Sequence, residues 1–142
     1  MFSSFLSACV LAVLTVAIHA MGIAVLLRRL MRLPLPTSAW LIKRLLLRII
    51  WWLILLHLAA ISIWGVFYLW RGCLPDADSA FYFSGGAYTT AGYGDLVLPV
   101  GCRIFGPLEA LSGILMCGLS AGLFFALVHR WISNWVHGPA TS

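Results

Sequence analysis

Thr89-Thr90-Ala91-Gly92-Tyr93-Gly94-Asp95, with Gly85 and Gly86 just upstream, carries neither a helical nor a strand pattern. In a soluble protein such a stretch is a surface turn. Here it falls between two apolar runs, each long enough to cross a bilayer. Irregular backbone at membrane depth is tolerated only where protein buries it or where it lines a water-filled path. That constraint makes residues 89–95 a functional candidate on physical grounds alone.

The composition sets the solvent. Of 142 residues, 63% are hydrophobic and only 9% charged, with a mean hydropathy of +1.03. Soluble domains carry about 25% charged residues. A chain of this length cannot bury so much apolar surface in its own core, so lipid must cover much of it. The expected fold class is an all-α membrane protein with three transmembrane helices plus a re-entrant helix and loop.

The net charge of +5 does not indicate a nucleic-acid partner. Arg28, Arg29, Arg32, Lys43, Arg44 and Arg48 all fall in one short connection between apolar segments. This is the pattern by which cytoplasmic connections are marked, not a phosphate-reading face. Placing Arg130 on the same side gives +7 inside. Arg71 and Arg103 with Asp76, Asp78, Asp95 and Glu109 give −2 outside, and the two sides recover the total. The topology read is N-terminus outside and C-terminus cytoplasmic.

Going outward from the central stretch, residues 79–88 read as a short helix capped by Asp78 or Ser79. At about 1.5 Å per residue it reaches only half-way through a membrane. It enters, and the loop 89–95 brings the chain back. Before it, a helical pattern runs from Ala39 to Trp70, about 48 Å and longer than a hydrocarbon core of about 30 Å. Residues 33–48 are therefore a cytoplasmic connection with an amphipathic helix start, and residues 49–70 span. Pro34 and Pro36 break the preceding helix, and Thr37 or Ser38 caps the next. Trp51 and Trp52 mark one interface, and Trp64, Tyr68 and Trp70 the other.

After the loop, residues 107–135 form the last span. Pro107 is read as its first residue, and Glu109 in its first turn complements the helix dipole. Gly113, Gly118, Ser120, Ala121 and Gly122 supply a small-residue face. Residues 1–32 hold one further span over 5–27. It has no basic leader and its arginines follow the apolar run, so it reads as a retained helix, not a cleaved signal. Residues 138–142 are a tail.

Lone polar residues have two readings each. His19 and His57 lie within spans, and hydrogen-bonded packing is preferred over pH sensing for both. Cys9 and Cys117 read as small buried hydrophobes. Cys73 and Cys102 flank the central stretch on one side, as two thiols or as a disulfide, with the thiols preferred. No Ser/His/Asp or Cys/His set has a catalytic or metal-binding spacing, so no enzyme is expected.

The physics of helix, glycine loop, helix is suggestive by itself. The negative dipole end of the short helix favours a cation. A glycine-rich loop can turn successive carbonyls one way, and carbonyls can replace a cation's water shell. One loop supplies too few oxygens, so a ring of copies is implied. A glycine-rich turn that merely packs is the alternative on this ground.

Thr90-Ala91-Gly92-Tyr93-Gly94-Asp95 closely resembles the T-V-G-Y-G-D selectivity-filter signature of potassium channels, with Ala91 in place of valine. The resemblance covers residues 40–135 and the order outer helix, pore helix, filter, inner helix. It leaves the first span outside. It implies a homotetramer, three identical subunits joining this one, in a bacterial cell membrane and in contact with lipid. The permeant ion would be K+. By position, the carbonyls of Thr90, Ala91, Gly92 and Tyr93 and the Thr90 hydroxyl would coordinate it. Thr89, Gly94 and Asp95 would support the filter, with Asp95 at the extracellular mouth. Gly113, with Gly118 beyond it, is a candidate gating hinge, and close helix packing is the equal alternative for Gly113. Gly86 stands where some members place a glutamate behind the filter. Tyr82 and Phe83 stand where many have a tryptophan pair, so the usual bracing is altered. Neither 5–27 nor 49–70 carries the arginine spacing of a voltage sensor. Two rival readings remain: a weakly selective cation channel of this architecture, and a non-conducting modulatory subunit.

Overall fold

The computed structural model describes residues 2–33 and 38–137, and the side chains of 5–33 and 38–133. Among these, all regular structure is helical. The order is α1 (Phe2–Met31), α2 (Ala39–Trp70), α3 (Ala77–Tyr88) and α4 (Phe105–His137). Three of the four are long and apolar enough to cross a membrane: Phe5–Met31, Ala39–Trp70 and Phe105–Ser133. At 12 residues, α3 measures about 18 Å, which is enough to enter a bilayer and not to cross it. The prolines read as a helix break, the cap candidate Thr37 and the tail 138–142 lie outside the described residues.

Each start has a local cause. Ser38, in extended conformation, accepts from the Leu41 N–H at 3.3 Å and caps α2. For α3 the cap is Asp76, not Asp78 or Ser79. Asp76 accepts from the Ser79 N–H at 2.8 Å and from its hydroxyl at 3.1 Å, which adds two residues to the expected helix. The last helix likewise begins at Phe105, not Pro107, because the Phe105 N–H closes a turn onto the Cys102 carbonyl at 3.0 Å. Pro107 is then its third residue, where the missing N–H still costs nothing.

Helix α3 is held between α2 and α4, and α1 rests on α2 and α4. The core is stacked in three layers along α2. At its basic end, Ile49 and Leu53 pack with Ile23, Leu26, Leu127 and Trp131. Ala60 meets Tyr88 and Met116 at mid-height. At the loop end Trp64, Phe67 and Tyr68 pack with Ala8, Ala80, Leu98 and Phe105. Between spans in a bilayer, where lipid is as apolar as the side chains, such contacts hold the helices by van der Waals packing.

Four further expectations change. Cys73 and Cys102 form a disulfide, with Cα atoms 6.0 Å apart; the turn after α2 and the turn before α4 bring them together in three dimensions. Trp64 and Tyr68 are fully buried against Phe67 and Phe105, so they are core and not interface residues. Cys117 is exposed on the surface of the single chain and not buried. The small residues of α4 do not share a face. Gly113 and Ser120 are buried towards the other helices, whereas Gly118, Ala121 and Gly122 are exposed.

Candidate functional site

The loop 89–95 starts at the C-terminal end of α3, the end that carries the helix's partial negative charge. Its first residues are tied back to the helix. Thr89 Oγ1 donates to the Gly85 carbonyl at 2.7 Å, the Thr90 N–H to Ala87 at 3.0 Å and the Gly92 N–H to Gly86 at 3.2 Å. The acceptors are backbone carbonyls, and a Cβ at Gly85 or Gly86 would meet no atom within 4 Å, so nothing in the single chain requires glycine at either position.

Beyond that point the backbone alternates. Thr90, Gly92 and Gly94 have φ of 61°, 49° and 80°, while Ala91 and Tyr93 between them do not have positive φ. Alternation in the sign of φ can turn successive peptide groups the same way, as in backbone anion nests, where the N–H groups line one side and the carbonyls the other. Glycine enters the left-handed region without cost. Thr90 does not: it is the one described non-glycine residue with positive φ. A β-branched side chain there is held against its preference by about 1–3 kcal/mol, and such strain clusters at working sites.

All seven residues of the loop are exposed in the single chain. Tyr93, 75% exposed, stacks on Tyr82 with centroids 6.3 Å apart and planes 18° from parallel. The Tyr82 hydroxyl donates to Asp95 Oδ2 at 2.8 Å, and Asp95 Oδ1 accepts from the Leu96 N–H at 3.1 Å. This bond to a carboxylate pushes the Tyr82 phenol above its ordinary range. A cleft of about 300 Å³ lies beside the loop, lined by Tyr82, Gly86, Gly92, Tyr93, Asp95 and Pro107 among others.

Behind the loop the structure supplies bracing that sequence reading missed. Glu109 is fully buried, one turn inside α4 and not in its first turn. Its carboxyl takes Ser84 of α3 at 2.5 Å and Tyr68 of α2 at 2.6 Å, so one side chain joins three helices. Ser84 Oγ also lies 2.8 Å from the Ile61 carbonyl. A lone acid in an apolar run is the sign of it in the sequence. His57 Nδ1 meets the Tyr88 hydroxyl at 2.9 Å. His19 Nε2 meets Ser120 Oγ at 3.0 Å, the expected hydrogen-bonded packing.

The predicted residues thus fall into two groups. Thr89 through Asp95 are together on one exposed loop. Gly113 lies elsewhere, on α4 against the Tyr88 carbonyl, so closely that a Cβ would overlap it. Close packing accounts for glycine at that position. Gly118 has open space around it. No group of three His, Cys, Asp or Glu side chains suited to a metal ion is present among the described residues.

No curated protein and no solved structure matches the chain. A family model described as an ion channel matches residues 46–130, more than half of it, taking in most of α2, all of α3, the loop and most of α4. With its three span-length helices, its half-length helix and its irregular loop between spans, the chain is a multi-pass membrane protein and belongs to this ion channel family.

Proposed function

We propose that the chain is one subunit of a homotetrameric, potassium-selective channel, and that residues 89–95 are a quarter of its filter. K+ is the permeant ion and passes down its electrochemical gradient, without catalysis. It is coordinated by the backbone carbonyls of Thr90, Ala91, Gly92 and Tyr93 and by the Thr90 hydroxyl. Thr89, Gly94 and Asp95 support the loop. The single observation that carries the reading is the alternation of left-handed residues at Thr90, Gly92 and Gly94 at the negative end of α3. That alternation is the backbone requirement for a ladder of carbonyls facing one way.

The exposure of the loop supports the tetramer. Seven irregular residues cannot face lipid. Three more copies around an axis cover them and leave a water-filled path between. The basic 28–48 connection supports an orientation with that end cytoplasmic and the loop end outside. Asp95 then sits at the outer mouth, where its charge raises the local cation concentration. The cell membrane is the setting and bilayer lipid the remaining partner.

Ala91 favours one rival, a weakly selective channel of the same form. Its smaller side chain packs less firmly behind the filter than valine. The test is the purified full chain. Four-fold particles that pass potassium when reconstituted in liposomes support the proposal, and a particle of another symmetry, or tetramers without flux, contradict it.

A further inference from the structure

Helix α1 has no part in the filter reading, which uses α2, α3 and α4. Yet α1 contributes the centre of a polar chain through the apolar interior. Ser120 on α4 meets His19 on α1 at 3.0 Å. The His19 ring lies tilted against that of His57 on α2, centroids 4.7 Å apart and planes 48° from parallel. His57 meets the hydroxyl of Tyr88, the last residue of α3, at 2.9 Å. His19, Tyr88 and Ser120 are 1%, 2% and 6% exposed. All four helices meet in this one chain, and it ends one residue before the loop.

Buried polar groups are costly in such surroundings, and ionisable ones inside a membrane are candidates for function. His19 shows the cost directly, because its Nδ1 has no partner. An unprotonated nitrogen is the cheaper atom to leave alone, so the tautomer that fits has His19 Nε2–H donating to Ser120.

The geometry explains what is gained. The last turn of α3 before Tyr88 is Gly85-Gly86-Ala87, which offers no large side chain for anchorage. Tyr88 fixes that end by two atoms. Its carbonyl is pressed by Gly113 of α4 and its hydroxyl is taken by His57 of α2. Two restraints on different atoms of Tyr88, one from α4 and one from α2, stop that helix end turning about its axis. The direction of that last turn sets the direction of the carbonyls that follow it.

We propose that His57 is a positioning residue for permeation. It holds the end of α3, and with it the first carbonyls of the loop, through Tyr88. His19 and the extra helix α1 hold His57 in turn and link it to Ser120 on the buried face of α4. This rests on the filter reading of residues 89–95.

The test uses the full chain in liposomes. Flux and the potassium-to-sodium permeability ratio are measured for the wild type, His57→Ala, Tyr88→Phe, the double variant, His57→Asn and His19→Ala. Losing one hydrogen bond at the filter base lowers the ratio on the order of five-fold in either single variant. The double variant loses no more, because both remove the same contact. His57→Asn, whose amide falls near the position of Nδ1, restores most of the ratio, and His19→Ala lies between. Wild-type ratio and flux in Tyr88→Phe, which differs by one hydroxyl, overturn the proposal even where His57→Ala fails to assemble. Independent, additive losses overturn it as well. A wild type that passes sodium as well as potassium overturns the potassium reading instead, and the same cycle is then read in total cation flux.

Discussion

Gly113 of α4 lies against the backbone carbonyl of Tyr88 with no room for a Cβ between them. The longest helix of the chain therefore rests on the last residue before the loop, backbone to backbone. Gly113→Ala forces α4 away from α3. Overpacking of this kind costs about 1–3 kcal/mol, and backbone atoms have less freedom to yield than side chains. The variant is expected to unfold at lower temperature in detergent and to pass less current. Gly118→Ala, with open space around it, is the comparison and is expected to fold normally. Equal stability of Gly113→Ala and the wild type would show that the two helices are not in this contact.

Glu109 fastens α3 and α2 to α4 through Ser84 and Tyr68. Glu109→Ala leaves the Tyr68 hydroxyl in an apolar site without its acceptor and leaves Ser84 only the Ile61 carbonyl. Each unsatisfied buried group costs about 1–3 kcal/mol. Ser84→Ala and Tyr68→Phe each remove one contact and are expected to destabilise less than Glu109→Ala. Thermal unfolding of the four proteins checks the order, and Ser84→Ala costing as much as Glu109→Ala would contradict it.

The Cys73–Cys102 disulfide closes a segment of 29 residues that contains α3 and the loop. Restricting such a segment in the unfolded chain is worth about 3–4 kcal/mol in the chain-entropy view. Reductant, or Cys73→Ser with Cys102→Ser, is expected to lower the unfolding temperature while the three spans stay inserted. Free thiols counted on unreduced, denatured protein provide a direct check: two per chain, from Cys9 and Cys117, are expected, and four would refute the bond.

The Tyr82 phenol donates to the Asp95 carboxylate, and that hydrogen bond raises its pKa above the ordinary 10.0. The protonated phenol is the form that the fold favours. Its contribution is present in full below pH 10 and is lost as pH rises through the raised value. A phenolate absorbance titration, wild type minus Tyr82→Phe, isolates this residue. Asp95→Asn is expected to move the titration down towards the ordinary value. No movement would show that the two side chains are not bonded in solution.

Much of this arrangement is legible in the sequence because it rests on length and local chemistry. Ser38 caps α2 where a polar residue precedes a long apolar run, and α3 is too short to cross. The glycines of the loop announce positive φ, as found at Gly92 and Gly94. Thr90 does not announce it, since threonine is a poor left-handed residue and only the surrounding chain imposes that conformation. The depth of Glu109 was hidden by the start of its helix: moving that start from Pro107 to Phe105 turns a first-turn acid into an interior one. Trp64 and Tyr68 read as interfacial from their place near a span's end, and only the packing of Phe105 against α2 makes them core. The disulfide depends on two turns meeting in space, about which a spacing along the chain says nothing.

The central claim is that a carbonyl ladder built on Gly92 selects potassium. The most direct measurement is the reversal potential of the reconstituted channel across potassium and sodium gradients, for the wild type and for Gly92→Ala. A Cβ at residue 92 meets no atom within 4 Å, so only the backbone conformation, φ 49°, opposes it; a side chain in the left-handed region costs about 1–2 kcal/mol. The account predicts a wild-type reversal that follows the potassium gradient, and loss of that current in Gly92→Ala with the spans still inserted. A wild-type reversal that stays in place when sodium replaces potassium, or normal potassium current through Gly92→Ala, would contradict it.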